Sequence, residues 1–597
     1  GGYNPILGKS YPEIAAESRS QHKSQAFGTS ANRGVRTDYF LHKVGVPAEK
    51  NLFDGIDITW NRVAESQKVS KLIHETIKQY DLTDPSKSVP HLLLIHKELE
   101  KLDANNHYVQ LKKEEVQNLL SECLGLWYET NPTTFSGVAG KPVDFKISVI
   151  KRSDFPVKLV ALNWTGRNAD STVNKVLSNN EGLMISKKVD LPQTLPISQP
   201  YWIEKPLENG MFNIDSQQDI GYPENRSKTI TSYTFEIDGN RFTFSKPWQY
   251  KFTDPAEGEI YRPFEIRPLV TVNITDPVVV FPNLDPKTVQ VLVQAQIKNT
   301  AGNVSLKLPN GWKSEPAQFK FENLDKYQEE YFTFKVTPPA QNDEIVVEAQ
   351  VMIENQTYSK GIKSISYKHI PTQTLFPPAT AKFDKIAIKT TARQIGYIAG
   401  AGDEVPAALR QIGCTVTILE EEQLSGNLNQ YDAIVVGVRA YNTENRLINY
   451  QSRLMDYVKN GGTMVVQYTI PSGLKVPQIG PYPLQTSRDR ITEENAELTF
   501  LKPAHRLLNY PNKITQQDFE GWIQERGLYF ADSWDKAHYE ALLAGHDTGE
   551  ELKEGALLYA KYGKGHYIYT GLSFFRELPA GVSGAYRLFA NLISVGK

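Results

Sequence analysis

The sequence is poor in cysteine, in metal-binding patterns and in long apolar runs. Of its 597 residues only two are cysteines, Cys123 and Cys414. They fall in segments of different type, which excludes a disulfide framework. No H-E-x-x-H, H-x-x-H or C-x-x-C occurs among the eleven histidines and two cysteines. His91 and His96 are five apart, the wrong spacing to share a helical face. No apolar stretch approaches the length of a membrane span. Charge of one sign is lacking too: 66 Lys and Arg face 68 Asp and Glu, a formal net charge of −2. A nucleic-acid protein normally carries a net basic surface, so this balance argues against one.

What is present is ordinary globular protein in composition, 40% apolar and 22% charged, and too long for one core. The period of the apolar pattern changes along the chain. Residues 11–28 open it: Ile14, Ala15, Ser18, Gln21, His22 and Gln25 fall at helical spacing, a small and amide-bearing stripe that needs a domain to pack against. Only residues 1–10 precede it, opening on Gly1-Gly2 without a Met, so the stretch reads as the last helix of a catalytic domain that begins upstream. Residues 29–63, rich in Gly, Arg and Asp, read as an extension wrapping that domain. Three amphipathic stripes follow. Val69, Leu72, Ile73, Ile77 and Tyr80 make the first; Leu92, Leu93, Ile95, Leu99 and Leu102 the second. Val116, Leu119, Leu120, Cys123, Leu124 and Trp127 make the third, and Cys123 reads as a small buried hydrophobe.

From about Thr133 the period is two. Val143, Phe145, Ile147 and Val149 alternate with polar residues, and turn residues recur at Gly137, Gly140, Asn168, Pro192 and Asp238-Gly239, predicting an antiparallel β-sandwich. Val289, Val291, Val293 and Ala295 begin a second, immunoglobulin-like one. After a Pro- and Thr-rich stretch at 371–378, strand–helix alternation predicts an α/β domain. Ile395–Ala399, Cys414–Leu419, Asp432–Val438 and Thr463–Tyr468 read as buried parallel strands, and Glu404–Ile412 and Glu444–Val458 as helices. The predicted architecture is multidomain α+β: a domain remnant over 1–63, a helical spacer over 64–132, a β-sandwich over 133–268, an immunoglobulin-like sandwich over 269–372, and an α/β flavodoxin-like domain over 380–597.

Two places carry candidate chemistry. Gly400-Ala-Gly-Asp-Glu404 lies between a strand and a helix, but fits neither a Walker loop nor G-x-G-x-x-G. Asp403 reads as the helix N-cap rather than part of a phosphate cradle. Arg439, Tyr441 and Asn442 follow one strand's carboxyl end, and Gln467-Tyr468 end the next. In open α/β sheets ligands sit on that rim. The predicted pocket is lined by Arg439, Tyr441, Asn442 and Tyr468 and binds a glycan or a partner domain without cleaving it. In the competing reading, Pro471–Arg490 fills the rim.

Several peptides carry a family resemblance. Glu13-Ile-Ala-Ala-Glu-Ser-Arg-Ser-Gln-His-Lys-Ser-Gln25, Phe53-Asp-Gly-Ile-Asp-Ile-Thr-Trp60, Gly521-Trp-Ile-Gln-Glu-Arg-Gly-Leu-Tyr-Phe530 and Tyr569-Thr-Gly-Leu-Ser-Phe-Phe-Arg576 resemble parts of large bacterial PIG-L (LmbE-like) proteins. These are zinc-dependent de-N-acetylases acting on N-acetylglucosamine-type amides. The family's His-Pro-Asp-Asp metal motif is absent here. The resemblance therefore implies an accessory, non-catalytic C-terminal region, with zinc held by a preceding domain, an N-acetylated glycan as ligand, and a periplasmic or extracellular location. It also implies that His22, Ser24 and Gln25 border that domain's active site, though His22 reads more readily as a hydrogen-bonded structural histidine. The α/β segment resembles class I glutamine amidotransferase-like domains but has Gln467-Tyr468 where their nucleophilic Cys stands. The rival reading is a carbohydrate-binding or cell-surface scaffold with no enzymatic role, its thirty Tyr and eight Trp supplying flat faces for sugars.

Overall fold

The protein, seen in a computed structural model that describes residues 2–35, 37–165, 171–208 and 210–597, is multidomain and sheet-rich with a minority of helices. Asn168, one of the predicted turn residues, lies outside the described residues.

Helix α1, Tyr11–Ser20, starts at a capping box in which the Glu13 carboxylate accepts from the Ser10 backbone N–H at 2.9 Å. It stops at Ser20, shorter than the predicted 11–28, and Lys23–Gln25 form a single 3-10 turn. The predicted stripe is not its buried face: Ala15 and Ser18 are exposed, and Ala16 is buried instead. Among the described residues from Ala26 to Thr59 no helix or strand forms. Ser10 and Ala16 are the buried residues among those described in 2–58. Large apolar side chains there stand in solvent: Ile6, Val35, Tyr39, Phe40, Leu41 and Val44 are each 74–99% exposed.

Helices α2 (Gln67–Gln79), α3 (Val89–Leu99) and α4 (His107–Cys123) follow the amphipathic stripes. They are not a spacer. Val69, Val89, Leu92, Ile95, Leu99, Val116 and Leu120 share one core with Phe145, Tyr233, Phe235 and Trp248 of the strands that follow. The third stripe ends before Trp127, which belongs to the strand Trp127–Pro132. That strand pairs antiparallel with Pro142–Ile150, which pairs with Leu183–Asp190. A second sheet runs Asn240–Pro247, Ile230–Ile237, Val157–Trp164, Ser171–Val176. The two sheets meet through rings: Tyr128 and Tyr233 are 4.8 Å apart between centroids.

The next unit again places two sheets around one core that includes Val289, Val291, Phe334, Val347 and Phe383. Its Thr380–Lys385 strand pairs with Asp343–Ile353 and, in parallel, with Val278–Phe281. The unit thus continues past 372 and takes up the first residues of the segment expected to open the α/β domain.

The C-terminal sheet contains β1 (Gln394–Ile398), β2 (Thr415–Ile418), β3 (Ala433–Val436), β4 (Thr463–Gln467), β5 (Thr499–Phe500), β6 (Tyr539–Gly545), β7 (Lys553–Tyr562) and β8 (Gly565–Thr570). Their order is β2-β1-β3-β4-β8-β7-β6-β5. The run from β2 to β8 is parallel and the remainder antiparallel. Strands β3 and β4 are buried throughout because helices cover both faces, which explains their unbroken apolar sequence. Among the described residues no helix is long and apolar enough to cross a membrane.

Candidate functional site

The carboxyl ends of β1, β3, β4 and β8 form one rim of the C-terminal sheet. Between β1 and β3 the rim is closed by backbone. The Gly437 and Ala401 N–H groups donate to Ile398 and Val438 carbonyls at 2.8 and 2.9 Å. A Cβ on Gly400 would stand 2.2 Å from the Val438 oxygen, so glycine is required by this close approach, not by a phosphate. Asp403 is not the N-cap; Glu404 is, ahead of helix Val405–Gln411. The Asp403 carboxylate instead ties the two strand ends together, accepting from the Tyr397 hydroxyl at 2.6 Å, the Val405 N–H at 3.1 Å and the Val438 N–H at 3.2 Å.

The predicted pocket residues separate here. Tyr441 is fully buried, its hydroxyl donating to Gln451 Oε1 at 2.7 Å, and is a core residue. Asn442 spends its amide on the next segment: Nδ2 donates to the Ile470 and Ser472 carbonyls at 3.0 and 3.1 Å, and Oδ1 accepts from the Ile470 N–H and the Thr469 hydroxyl. Segment 471–490 thus covers that part of the rim, with Val476, Ile479 and Leu484 buried. Tyr441 and Asn442 are excluded from the site because helix Ala440–Thr443 turns one inward and pins the other.

Arg439 and Tyr468 remain together. The Arg439 N–H donates to the Tyr468 carbonyl at 2.9 Å, and Arg439 sits in the left-handed region at φ 57°. Its Nε is buried without a hydrogen-bond partner among the described residues. Tyr468, 8% exposed, stacks on Tyr529 at 5.4 Å and leans on Phe575 at 5.2 Å. Tyr529 is also left-handed, at φ 54°, and its carbonyl accepts from the Tyr569 hydroxyl at 2.6 Å. Both left-handed residues thus touch the same tyrosine. Beyond Phe575, Arg576 Nε donates to Glu525 Oε1 at 2.7 Å. Burial pushes the Tyr468 phenol up, while Arg439 and Arg576 pull it the other way.

Gln467, 2% exposed, completes the group. Its Nε2 donates to the Tyr397 oxygen at 3.0 Å, because the single Tyr397 proton is committed to Asp403. The orientation of the amide follows, and leaves Gln467 Oε1 buried without a partner among the described residues. Each buried group left unpaired costs about 1–3 kcal/mol.

Glu525, Tyr529, Phe575 and Arg576 were not among the predicted site residues. The signal for Phe575 and Arg576 lay in the strand order, since they follow β8, which pairs in parallel with β4. At the other end of the chain, His22, Ser24 and Gln25 are exposed, and the His22 ring lies 6.2 Å from Phe27. Among the described residues no group of three or more His, Cys, Asp or Glu is placed to hold a metal ion, so the zinc implied by the resemblance has no holder among them. Cys414 is buried, and burial raises its thiol to about 11, which suits packing rather than nucleophilic attack.

Under the rim, Glu577 is fully buried and accepts from the Ile523 N–H at 3.0 Å and the Ser573 hydroxyl at 3.3 Å. Burial raises its pKa to about 7. The stability this carboxyl contributes is therefore whole below about pH 4.5 and is lost as pH rises through 7. In urea denaturation, Glu577→Gln should be more stable than the natural chain by up to about 3 kcal/mol at pH 8. The difference should vanish near pH 4.5, where both side chains are neutral. A pH-independent difference would contradict the assignment.

No protein-family model matches the chain, and no curated protein does. Solved structures similar to it include a putative GMP synthase component from Thermoplasma acidophilum, at 9% identity over 35% of this chain and 96% of that one, TM-score 0.23. Others are the D0-D1 domain of intimin, at 9% identity over 43% of this chain and 97% of that one, TM-score 0.14, and native E. coli alpha-2-macroglobulin, at 8% over 46% and 18%, TM-score 0.15. Likenesses this slight carry no weight for fold or function.

Proposed function

We propose that the chain is a non-catalytic accessory region of a PIG-L-type de-N-acetylase, holding a catalytic domain at its N-terminal end and a glycan at its C-terminal rim. The observation that carries this is the uncovered apolar surface of residues 2–58. Side chains such as Ile6, Tyr39, Phe40 and Val44 are left in water by the rest of the chain. Concentrated exposure of this kind marks an interaction surface. The chemistry of the family resemblance supplies the occupant, a folded zinc-bearing domain. In this reading the rest is a scaffold: helices and a first β-sandwich on one core, an immunoglobulin-like second sandwich, and a flavodoxin-like domain of the amidotransferase type with tyrosine in place of the nucleophile. The protein works in the periplasm or outside the cell. The rim retains Arg439 and Tyr468 from the predicted pocket and gains Gln467, Tyr529 and Phe575.

Hydrogen exchange tests the arrangement. In the chain alone, amides of 26–58 should exchange within seconds. In a protein extended through its upstream sequence they should slow by at least a hundredfold, on the order of 3 kcal/mol of local protection. Equal, fast exchange in both would remove the docking surface. The second reading, a carbohydrate-binding or cell-surface scaffold without an enzymatic partner, draws on the aromatic wall of Tyr468, Tyr529 and Phe575. Upstream sequence lacking His-Pro-Asp-Asp would favour it.

A further inference from the structure

We infer that Asp384 is a pH-sensitive latch in the joint between the second two-sheet unit and the C-terminal sheet, closing it when protonated and loosening it when ionised.

Strand Val278–Phe281 belongs to both units. Val279 and Phe281 pack into the core of the second unit, Val278 and Val280 into that of the C-terminal sheet. Across the joint, Gln411 at the end of helix Val405–Gln411 takes the place of a neighbouring strand. The Val280 N–H donates to its Oε1 at 2.6 Å, and its Nε2 donates to the Val278 carbonyl at 2.9 Å. On the other side, Thr380–Lys385 pairs with Val278–Phe281 in parallel. Its Asp384 is 2% exposed. Among the described residues the carboxylate has one hydrogen bond, from the Ser583 hydroxyl at 2.5 Å, and Ser583 opens helix Ser583–Ser594 of the C-terminal unit.

A carboxylate buried in a joint needs a cation if it is to stay charged at little cost. None pairs with Asp384 among the described residues. On its own strand, Lys382 is held by Glu344 at 3.0 Å, and strand alternation puts Lys385 on the opposite face. Glu344, from strand Asp343–Ile353, brings a like charge, while Asp343 accepts from Trp312 Nε1 at 2.7 Å. From helix Ser583–Ser594, Tyr586 gives its proton to the Leu578 carbonyl at 2.9 Å, and Arg587 is held by Asp518 at 2.7 Å. Strand Val278–Phe281 carries no titratable side chain. From helix Val405–Gln411, Arg410 donates to the Val416 carbonyl at 3.2 Å, and Lys287 donates to the Gln411 carbonyl at 2.6 Å.

Burial is the main influence on Asp384 and raises its pKa to about 6; Glu344 adds to the rise, and Ser583, Lys382 and Lys385 oppose it. Once the joint opens, the carboxyl meets water and titrates near its ordinary 3.8. The latch is therefore whole below pH 3.8 and is lost as pH rises through 6. Between pH 4.5 and 7.0, opening should become about twentyfold easier.

Hydrogen exchange of the full 597-residue chain, corrected for the intrinsic pH dependence of amide exchange, measures that opening in peptides covering 278–286 and 378–386. Exchange there should speed up about twentyfold from pH 4.5 to 7.0. Lys287, lowered by burial to about 8, keeps most of its charge over that range. Asp384→Asn keeps an acceptor for Ser583 and has no charge to gain, so the acceleration should disappear while exchange in β3 and β4 is unchanged. Ser583→Ala removes a bond that favours the charged form, so the midpoint should move above 6. Glu577→Gln removes another buried carboxyl of the C-terminal unit and should leave the joint's pH dependence in place. Loss of the acceleration in Glu577→Gln would assign it to opening of the whole C-terminal unit and overturn the latch. Exchange indifferent to pH in the natural chain, or an acceleration that survives Asp384→Asn, would overturn it as well.

Discussion

Removal of residues 1–125 should unfold the first pair of sheets, over 127–268, and leave the C-terminal sheet folded. Helices α2, α3 and α4 bury Val69, Val89, Leu92, Ile95, Leu99, Val116 and Leu120 in the same core as Phe145, Phe235 and Trp248. Burying a side chain of this size is worth about 1.5–3 kcal/mol. Together these residues outweigh the net stability of about 5–15 kcal/mol that a whole domain retains. Without the helices, the strands would also lose the local tethers between them, such as the Arg152 N–H donating to the Leu124 and Gly125 carbonyls at 3.3 and 3.1 Å. Limited proteolysis of a chain beginning at 126, beside one beginning at 64, reads this out. The shorter chain should be cut throughout 127–268 and stay resistant beyond 390. A protease-resistant 127–268 would restore the helices to the role of a spacer.

Periodicity in the sequence locates apolar faces and is silent about what covers them. The alternation of Val143, Phe145, Ile147 and Val149 became a strand with those four side chains buried. The unbroken runs Ala433–Val436 and Thr463–Gln467 became parallel strands covered on both sides. The same signal could not tell that the helical stripes face the neighbouring strands, because a spacer bundle and a shared core ask for the same spacing. Thr380–Lys385 joins the preceding unit through long-range pairing to Val278–Phe281 and Asp343–Ile353, which no local pattern encodes.

The site was half legible for a related reason. Strand-end position singled out Arg439 and Tyr468, because the ends of β3 and β4 follow from short apolar runs. Tyr441 and Asn442 shared that position in sequence but not in space, once helix Ala440–Thr443 turned Tyr441 into the core. Phe575 and Arg576 were hidden by the hairpin that returns β8 to the parallel side, and Tyr529 by a loop with no periodic signal. Gln467 was visible as a residue. Its unpaired oxygen emerges only from the proton committed between Tyr397 and Asp403.

The second large effect concerns activity and is all-or-none. The proposed de-N-acetylation needs a metal-bound water and a carboxylate base. Among the described residues no three His, Cys, Asp or Glu are gathered to supply such a centre. Gln467 ends β4 and Tyr468 follows it on the rim. Binding energy at the rim lowers no barrier unless it is realised in a transition state, and neither an arginine nor a glutamine oxygen there provides a nucleophile. Under the proposed function, the chain should leave an N-acetylated glycan unchanged.

Acetate release from N-acetylglucosamine oligomers, with and without added zinc, tests this most directly when the chain is assayed beside a protein extended through its upstream sequence. The chain alone should release no acetate above the zinc-only blank. The extended protein should turn over with the zinc dependence and the roughly 1–1,000 s⁻¹ typical of enzymes. Zinc-dependent acetate release by the chain alone would contradict the account.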